Sequence, residues 1–330
     1  MTTSKLLATA GILIALVSLS FLPAAAQSYT VTDLGTLGGP YSGALALNDV
    51  GQVVGFADLS NGQSRGFIWS SVSGMQDIGG FNGFGSFPRG INNSGQVVGD
   101  SDGNAFLWTA AGGMQDLGSL GGQGATAYAI NNLGQVVGQA VLSDNVTSHA
   151  FLWTATGGMQ DLGTLQNSGY SWATAINDAG HIVGFSTLSD NVTVHAFLWT
   201  QASGMQDLGT LGGVTSGAYG INSLGQIVGV TSTPTAAVDF IWDKRHGMQL
   251  LNLGNSVPLG INSAGEVTGY FFKTGNERGF IWTKALGIQN LNALMSHVDG
   301  LCDVAYAINT LGQIAGSSNK GHALLLTPTK

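Results

Sequence analysis

Residues 127–163 read AYAINNLGQVVGQAVLSDNVTSHAFLWTATGGMQDLG, and this stretch decides the fold. Four short runs rich in Val, Ile, Phe and Trp alternate with turns rich in Gly, Asn and Ser. That alternation is typical of β-strands joined by tight turns. In the first turn, Asn131 can hydrogen-bond the backbone ahead of it, and Gly134 can take a positive φ. The stretch therefore predicts one unit of four antiparallel strands, which we label A to D.

This unit recurs seven times along the chain. Its turn asparagine returns at spacings of 39 to 47 residues, at Asn48, Asn92, Asn131, Asn177, Asn222, Asn262 and Asn309. We interpret these residues as caps of the A–B turns rather than as catalytic groups. Four strands in about 40 to 50 residues is the size of a propeller blade. The sequence thus predicts an all-β fold, a seven-bladed β-propeller. The alternative is a β-solenoid, in which the two ends of the chain would lie far apart.

Small residues mark strand A in every copy. The position two residues before the asparagine is always Ala or Gly, and the position four before it is Ala or Pro. A crowded central axis requires such residues, so strand A is predicted to be innermost, beside the channel. Strand C instead has successive apolar residues, as at Phe151, Leu152 and Trp153, which predicts a sheet buried on both faces.

The seventh copy has three strands, at 305–309, 313–316 and 322–326, and residues 30–35 match the missing strand D. We therefore predict a ring whose last blade is four-stranded because the N-terminal strand closes it. Closure of this kind removes the exposed sheet edges that invite aggregation.

A donor at the start of strand C recurs together with an acid twelve residues later. We interpret these as structural staples between strands C and D, namely Arg65 with Asp77, Asn104 with Asp116, His149 with Asp161, His195 with Asp207, and His322 with Asp33 across the closure. Where the donor is lost, at Val238, the acid is lost too, at Leu250. Because the histidines lie on separate blades and each has its own carboxylate, no metal site and no cofactor is predicted.

The motif around His149 resembles a known repeat. The segments HAFLW at 149–153 and 195–199, each after I-N-x-x-G and before G-M-Q-D-L-G, resemble the HAF repeat of bacterial extracellular repeat proteins. The resemblance covers essentially all of residues 29–326, with graded variants of the motif at 65–67 and 278–280. It implies secretion from a bacterium and a propeller-like β fold. It implies no established activity, ligand or catalytic residue.

The first residues have the features of a secretory signal peptide. Lys5 is followed by an apolar run at 6–22 and then by Ala24, Ala25 and Ala26, which predicts cleavage after Ala26. We expect a signal peptide at 1–26 and a single propeller domain at 27–330, secreted to the periplasm or the medium without a membrane span. The alternative is a transmembrane anchor, for which a run of about 17 residues is short.

Composition limits the partners of the chain. The chain has 10 Lys and Arg residues and 18 Asp and Glu residues, which gives a formal net charge of −8. Phosphate binding depends on basic patches, so nucleic acid is not an expected partner. Cys302 is the single cysteine, so the fold cannot depend on an internal disulfide. We expect a monomer.

Candidate binding residues lie where the chain departs from the repeat. The B–C and D–A connections vary in length, and in a four-stranded meander they open on the same face. Exposed aromatic residues with few polar partners suit stacking on sugars or contact with a protein surface. The binding candidates are Tyr41, Phe84, Phe87, Arg89, Tyr170, Trp172, His297 and Asp299. The alternative is that these side chains plug the channel and pack between blades.

Two functions are compatible with this pattern. The sequence has no G-x-S-x-G, H-E-x-x-H or C-x-x-C motif, and no catalytic residue is assigned. We predict a secreted, non-enzymatic binding or scaffold protein that recognises a glycan or a protein through one loop face. The alternative is a propeller hydrolase or lyase acting on extracellular polysaccharide or on a lactone. That alternative requires His297, Asp299 and Asp303 to converge at the channel mouth.

Overall fold

Seven four-stranded antiparallel sheets stand in a ring, so the predicted seven-bladed β-propeller is confirmed. The structure is a computed structural model that describes residues 27–329 except 168, 252, 274–275 and 297–299, with the backbone alone at 273 and 276. The predicted signal peptide and the candidates His297 and Asp299 therefore lie outside the described residues. Each innermost strand contacts those of the two neighbouring blades, and the last contacts the first. This closed ring excludes the β-solenoid.

The first strand, β1, spans Tyr29–Asp33, and the first three blades follow it, each with its strands in the order A to D. Blade 1 contains β2 (Gly38–Leu47), β3 (Val53–Leu59), β4 (Ser64–Ser70) and β5 (Gly74–Asp77). A 3₁₀ turn at Phe81–Gly83 leads to blade 2, with β6 (Ser86–Ile91), β7 (Val97–Ser101), β8 (Asn104–Thr109) and β9 (Gly113–Asp116). Blade 3 contains β10 (Gly121–Ile130), β11 (Val136–Leu142), β12 (Ser148–Thr154) and β13 (Gly158–Asp161).

The remaining blades repeat this order. Blade 4 contains β14 (Ser171–Ile176), β15 (Ile182–Thr187), β16 (Val194–Thr200) and β17 (Gly204–Asp207). Blade 5 contains β18 (Ser216–Ile221), β19 (Ile227–Ser232), β20 (Ala237–Asp243) and β21 (Gly247–Leu250). Blade 6 contains β22 (Ser256–Ile261), β23 (Val267–Lys273), β24 (Asn276–Thr283) and β25 (Gly287–Asn290). Helix α1 (Leu291–Leu294) precedes blade 7, which contains β26 (Cys302–Ile308), β27 (Ile314–Ser318) and β28 (Ala323–Pro328).

The ring closes through β1, which supplies strand D of blade 7 as predicted. It pairs antiparallel with β28, with Val31 opposite Leu326. The segment after α1 holds the same strand from its other side, because the Ser296 amide donates to the Tyr29 carbonyl at 3.0 Å. The Tyr29 ring is 1% exposed and packs with residues of blades 6 and 7. The closure is therefore both a sheet pairing and a piece of core.

The hydrophobic core lies between neighbouring blades. In one cluster, Val137 and Leu152 of blade 3 pack with Ala173, Ile182 and Phe197 of blade 4. The phenylalanine of strand C is fully buried in six blades, at Phe67, Phe106, Phe151, Phe197, Phe240 and Phe280. Burying such a side chain stabilises the fold by about 2–3 kcal/mol. Because both faces of a blade are covered, strand C has successive apolar residues.

Strand A of each blade contains a bulge, and the extra residue lines the channel. In blade 3, Ala127 pairs with Gly138 and Ala129 with Val137, so Tyr128 is the extra residue. The bulge brings strand A against strand B, and a Cβ on Gly138 would lie 1.9 Å from the Thr126 carbonyl oxygen. Every strand B has glycine at this place, at Gly55, Gly99, Gly138, Gly184, Gly229, Gly269 and Gly316. The glycine of the repeated Q-V-V-G motif is thus required by close backbone approach.

Among the described residues, no helix is long and apolar enough to span a membrane.

Candidate functional site

The two kinds of connection form two different faces. The B–C and D–A connections lie together and form what we call the loop face. Backbone hydrogen bonds link them between blades: the Ser42 amide donates to the Gly321 carbonyl at 2.7 Å, and the Ala125 amide to the Gly103 carbonyl at 3.0 Å. The A–B and C–D turns form the opposite, turn face. The predicted binding candidates that the structure describes belong to the loop face or to the channel that opens on it.

On the turn face, the repeated asparagines join the blades as well as capping turns. Within its own turn, the Asn131 side-chain oxygen accepts the Gln135 amide at 3.0 Å. Its Nδ2 donates to the backbone carbonyl of Asn177 in the next blade at 3.1 Å. All seven copies repeat this bond at 2.9–3.2 Å, and Asn309 donates to Asn48 to complete the circle. These buried side chains have a structural use that accounts for their recurrence.

Three of the five predicted staples form. The Nδ1 atom of His149 lies 2.9 Å from Asp161, and that of His195 lies 2.8 Å from Asp207. Across the closure, His322 Nδ1 lies 2.8 Å from Asp33 Oδ2, which ties the last blade to the N-terminal strand. The partners are diagonal neighbours rather than directly opposed, since Asp161 pairs in register with Phe151.

The other two predicted staples are wrong. Arg65 is engaged on the loop face instead, where its Nη1 donates to the Phe84 carbonyl at 2.5 Å. The shorter Asn104 side chain donates only to the nearby Asp102 carbonyl, at 3.1 Å. In the described contacts, neither meets its expected acid. The three staples that form all have histidine as the donor.

A second interaction explains why the acid recurs in all five copies. Each aspartate accepts the amide of the glycine two residues ahead, at 2.7–2.8 Å. That glycine has a positive φ, as at Gly79 (φ 79°) and Gly163 (φ 70°). The D strand therefore ends in an Asx turn, in which the carboxylate fixes the departure of the chain toward the next blade. Sequence reasoning assigned these acids to the staples alone.

Blade 4 has a group of three aromatic rings on the loop face. The Tyr170 and Trp172 rings are stacked, 6.0 Å apart with an interplanar angle of 15°. Trp172 lies opposite Phe185 in the sheet, and their rings are 5.1 Å apart. All three are half-buried. We call Tyr170, Trp172 and Phe185 the blade-4 aromatic cluster. Each ring is held by a neighbour while part of its surface stays accessible.

A cleft between blades 4 and 5 adjoins this cluster. It has a volume of about 230 Å³, with Phe185 on one wall and Gly217, Tyr219 and Val230 on the other. Gly217 has no side chain to fill the space: a Cβ there would lie 3.7 Å from the Phe185 ring and from the Tyr219 hydroxyl. Larger side chains at this position would occupy the cleft.

The other aromatic candidates lie elsewhere on the ring. Tyr41 is 57% exposed and lies over Gly321 at the junction of blades 7 and 1. Phe87 of blade 2 is 6.3 Å from Phe56 of blade 1, and Phe84 is exposed in the loop before it. The candidates thus form separate groups around the loop face rather than one site. Among the described candidates, the group at blade 4 combines stacked rings with a cleft.

The axial channel is a further cavity, of about 550 Å³, formed by the A strands. The small residues two before each asparagine line it as predicted, whereas those four before, such as Ala44, are fully buried against the preceding blade. The residue three before each asparagine, at the bulge, also lines the channel. These residues are Leu45, Arg89, Tyr128, Thr174, Tyr219, Leu259 and Tyr306.

Sequence reasoning missed the channel tyrosines. Tyr128, Tyr219 and Tyr306 occupy the same position in blades 3, 5 and 7, and this recurrence was the signal that could have found them. Burial raises the pKa of each above the ordinary tyrosine value, so the hydroxyls stay protonated and can donate hydrogen bonds. Arg89, predicted to lie on the loop face, shares this channel.

Of the three residues proposed for the enzymatic alternative, Asp303 alone lies in the described part of the chain. Asp303 is paired with Arg278, whose Nη1 donates to its Oδ1 at 2.9 Å. Burial raises the pKa of Asp303, and Arg278 opposes that change. Neighbouring Cys302 is fully buried, and burial raises the pKa of its thiol to about 12, with a contribution from Asp303. Among the described residues there is no group of three or more His, Cys, Asp or Glu placed to hold a metal.

No protein-family model and no curated protein sequence matches the chain. Solved structures do match it. Virginiamycin B lyase from Staphylococcus aureus is 11% identical with a TM-score of 0.61, over 91% of this chain and 99% of that one. Oligogalacturonate lyase from Vibrio parahaemolyticus is 11% identical with a TM-score of 0.60, over 90% and 93%. TolB from Acinetobacter baumannii is 12% identical with a TM-score of 0.51, over 85% and 64%.

The shared feature is the propeller. At this level of identity the similarity shows the fold alone, and this chain spans less than two thirds of TolB. The resemblance to the HAF-repeat proteins stays a prediction, since no family model bears on it.

Proposed function

We propose that this chain is a secreted, non-enzymatic protein that binds a glycan through its loop face, at the blade-4 aromatic cluster and the adjoining cleft. The observation that carries the proposal is the stacked pair of Tyr170 and Trp172 beside a cleft kept open by Gly217. Secretion rests on the predicted signal peptide at 1–26 and on the resemblance to HAF-repeat proteins.

The chemistry of the cluster suits a sugar ring. Sugars present an apolar face of C–H groups, which packs against an aromatic ring, and hydroxyl groups at their edge, which need polar partners. In this cluster the rings are already positioned by Phe185 and by the backbone, since the Tyr170 amide donates to Thr187 Oγ1 at 2.8 Å. Little side-chain entropy is therefore lost on binding. The cleft between the blades offers Thr215 and Ser232 as polar neighbours.

A panel of immobilised glycans, probed with the purified protein, tests this proposal. Trp172→Ala and Tyr170→Ala are each expected to weaken binding about tenfold, the effect of losing roughly 1.4 kcal/mol of stacking. Gly217→Leu is expected to block binding while keeping every aromatic ring. The matched control is Tyr41→Ala, which removes the equivalent tyrosine of blade 1. Binding that persists in the blade-4 variants, or that falls equally with Tyr41→Ala, contradicts the proposed site.

The alternative function is a hydrolase or lyase acting on extracellular polysaccharide or on a lactone. Two proteins with this fold are named as lyases, which is the reason to keep it. The same preparation can be incubated with the polysaccharides that it binds and with simple lactones. Release of new reducing ends, unsaturated products or acid would favour the enzyme over the binding protein.

A further inference from the structure

Arg89 places a positive charge in the axial channel. Among the described residues that line the cavity, it is the one charged side chain. The whole chain is acidic, with a formal net charge of −8. In the other blades the equivalent position is Leu, Tyr or Thr. The arginine is thus a departure from the repeat at a position that lines the channel.

Two neighbours hold the guanidinium in one orientation. Its Nε donates to Asp100 Oδ1 at 2.8 Å, and its Cζ lies 5.3 Å from the centre of the Tyr128 ring. Asp100 thus occupies one corner of the guanidinium and Tyr128 one of its faces. Within the described part of the chain, the Nη groups have no hydrogen-bond acceptor, and the side chain is 38% exposed. Asp100 and Tyr128 thus hold the arginine in place, and its two Nη groups keep their donors available.

The channel and the glycan cleft share a wall. Tyr219 lines both the axial cavity and the cleft between blades 4 and 5. A ligand stacked on the blade-4 aromatic cluster would have to pass Tyr219 to reach the axis. The cavity, of about 550 Å³, falls within the range of small-molecule sites, which runs from about 300 to 1,000 Å³.

We propose that the channel holds a carboxylate group of the ligand on the Nη donors of Arg89, so that the glycan recognised by this protein is an acidic one. This inference rests on the proposed function. Guanidinium and carboxylate match as planar groups with two parallel hydrogen bonds. Aliphatic neighbours such as Ile91 and Ile130 line the same cavity and lower the local dielectric, which strengthens the interaction. The protonated hydroxyls of Tyr128, Tyr219 and Tyr306 supply further donors.

Calorimetric titration with three probes tests the proposal. The probes are a trimer of galacturonic acid, the same trimer with its carboxyl groups methyl-esterified, and free galacturonate. We expect the acidic trimer to bind about tenfold more tightly than the ester, the effect of one pair of charge-assisted hydrogen bonds. In Arg89→Gln the ratio of the two affinities is expected to fall to about one. Arg89→Lys keeps the charge but loses the planar pair of donors. Its ratio of affinities is expected to lie between those of the wild type and of Arg89→Gln.

Asp100→Asn separates this role from a structural one. If Arg89 binds a carboxylate, removing its internal partner frees the guanidinium, and the acidic trimer should bind several-fold more tightly. If Arg89 only pairs with Asp100, both variants lower the melting temperature alike and neither changes the ratio of affinities. That result, or a preference for acid that survives Arg89→Gln, overturns the proposal.

The third probe, free galacturonate, identifies the source of the carboxylate. Tighter binding of the acidic trimer than of free galacturonate supports an acidic glycan. Equal binding, abolished by Arg89→Gln, overturns the extension from the cleft and leaves a site for a small carboxylate. If neither trimer binds, the proposed function fails. In that case the titration with free galacturonate still tests the Arg89 site. Binding that Arg89→Gln abolishes supports the site, and no binding overturns it.

Discussion

At the scale of single residues, each recurrent position of the repeat has a physical task set by its neighbours. The asparagine of the A–B turn satisfies its own turn with its oxygen and the next blade with its nitrogen, as Asn131 does toward Asn177. The glycine of strand B is required because the bulge in strand A brings the two backbones close together. In both cases a short sequence motif makes a contact with residues that lie outside the motif.

The strand-B glycine leads to a direct stability prediction. In blade 5, a Cβ on Gly229 would lie 2.0 Å from the Gly217 carbonyl oxygen, which is backbone and cannot turn aside. Gly229→Ala is expected to lower the free energy of unfolding by about 1–3 kcal/mol. Gly217→Ala is the matched control, because its Cβ meets only ordinary contacts at 3.7 Å. Urea denaturation measures both. Equal stability of the two variants would contradict the bulge argument.

At the scale of elements, the interface between blades 5 and 6 differs from the others at Asp239. This residue stands where strand C of the other blades has Ala or Gly. It is 1% exposed; its Oδ2 accepts the Ser256 hydroxyl at 2.5 Å, and its Oδ1 has no hydrogen-bond partner among the described residues. Burial raises the pKa of Asp239 from 3.8 to about 6, and the Ser256 hydrogen bond offsets only part of that rise.

This raised pKa predicts a pH-dependent loss of stability. The folded state holds the proton more tightly than the unfolded state, so stability from this group is highest below about pH 4 and falls as the pH rises through about 6. At pH 7.5, Asp239→Ala is expected to raise the free energy of unfolding by about 2–3 kcal/mol. Urea denaturation at pH 4 and 7.5 measures the change. If the variant and the wild type differ in free energy of unfolding by the same amount at both pH values, ionisation of Asp239 is not the cause of the difference.

At the scale of the whole molecule, the ring closes through bonds between the two ends of the chain. On the turn face, Asn309 donates to the Asn48 carbonyl at 3.0 Å. In blade 7, β1 pairs with β28, and His322 meets Asp33. The Tyr29 ring lies in the core beside this pairing, and burial, with nearby Glu266, raises its pKa well above the ordinary value. The closure therefore depends on packing as well as on hydrogen bonds.

Truncating the tyrosine of the closing strand tests this dependence. Tyr29→Ala removes a fully buried ring and is expected to cost about 3–5 kcal/mol of stability. It is also expected to speed proteolysis near residues 29–33, because β1 can then leave the sheet edge. Thr30→Ala, at an exposed position of the same strand, is the control. A Tyr29 variant no less stable than the Thr30 variant would mean that hydrogen bonding alone holds the ring shut.

Much of the architecture was predictable because it repeats. Seven recurrences of Asn48 and its equivalents give the number of blades, and the unmatched strand at 30–35 gives the closure. The site was less accessible to sequence reasoning. Tyr170 and Trp172 were found as departures from the repeat, but their stacking with each other and with Phe185 depends on a strand pairing. Arg89 was assigned to the loops, whereas the bulge places it in the channel.

The sequence by itself determined the fold class, the order of the strands and the pairing of the two ends, because these follow from local periodicity and from repetition. Only the tertiary structure decided which side chains meet. Arg65 and His149 occupy equivalent positions, yet one reaches a loop carbonyl and the other a carboxylate. The asparagine circle and the channel around Arg89 join residues of different blades, about 40 residues or more apart. Such contacts depend on how blades stack, which no single repeat contains.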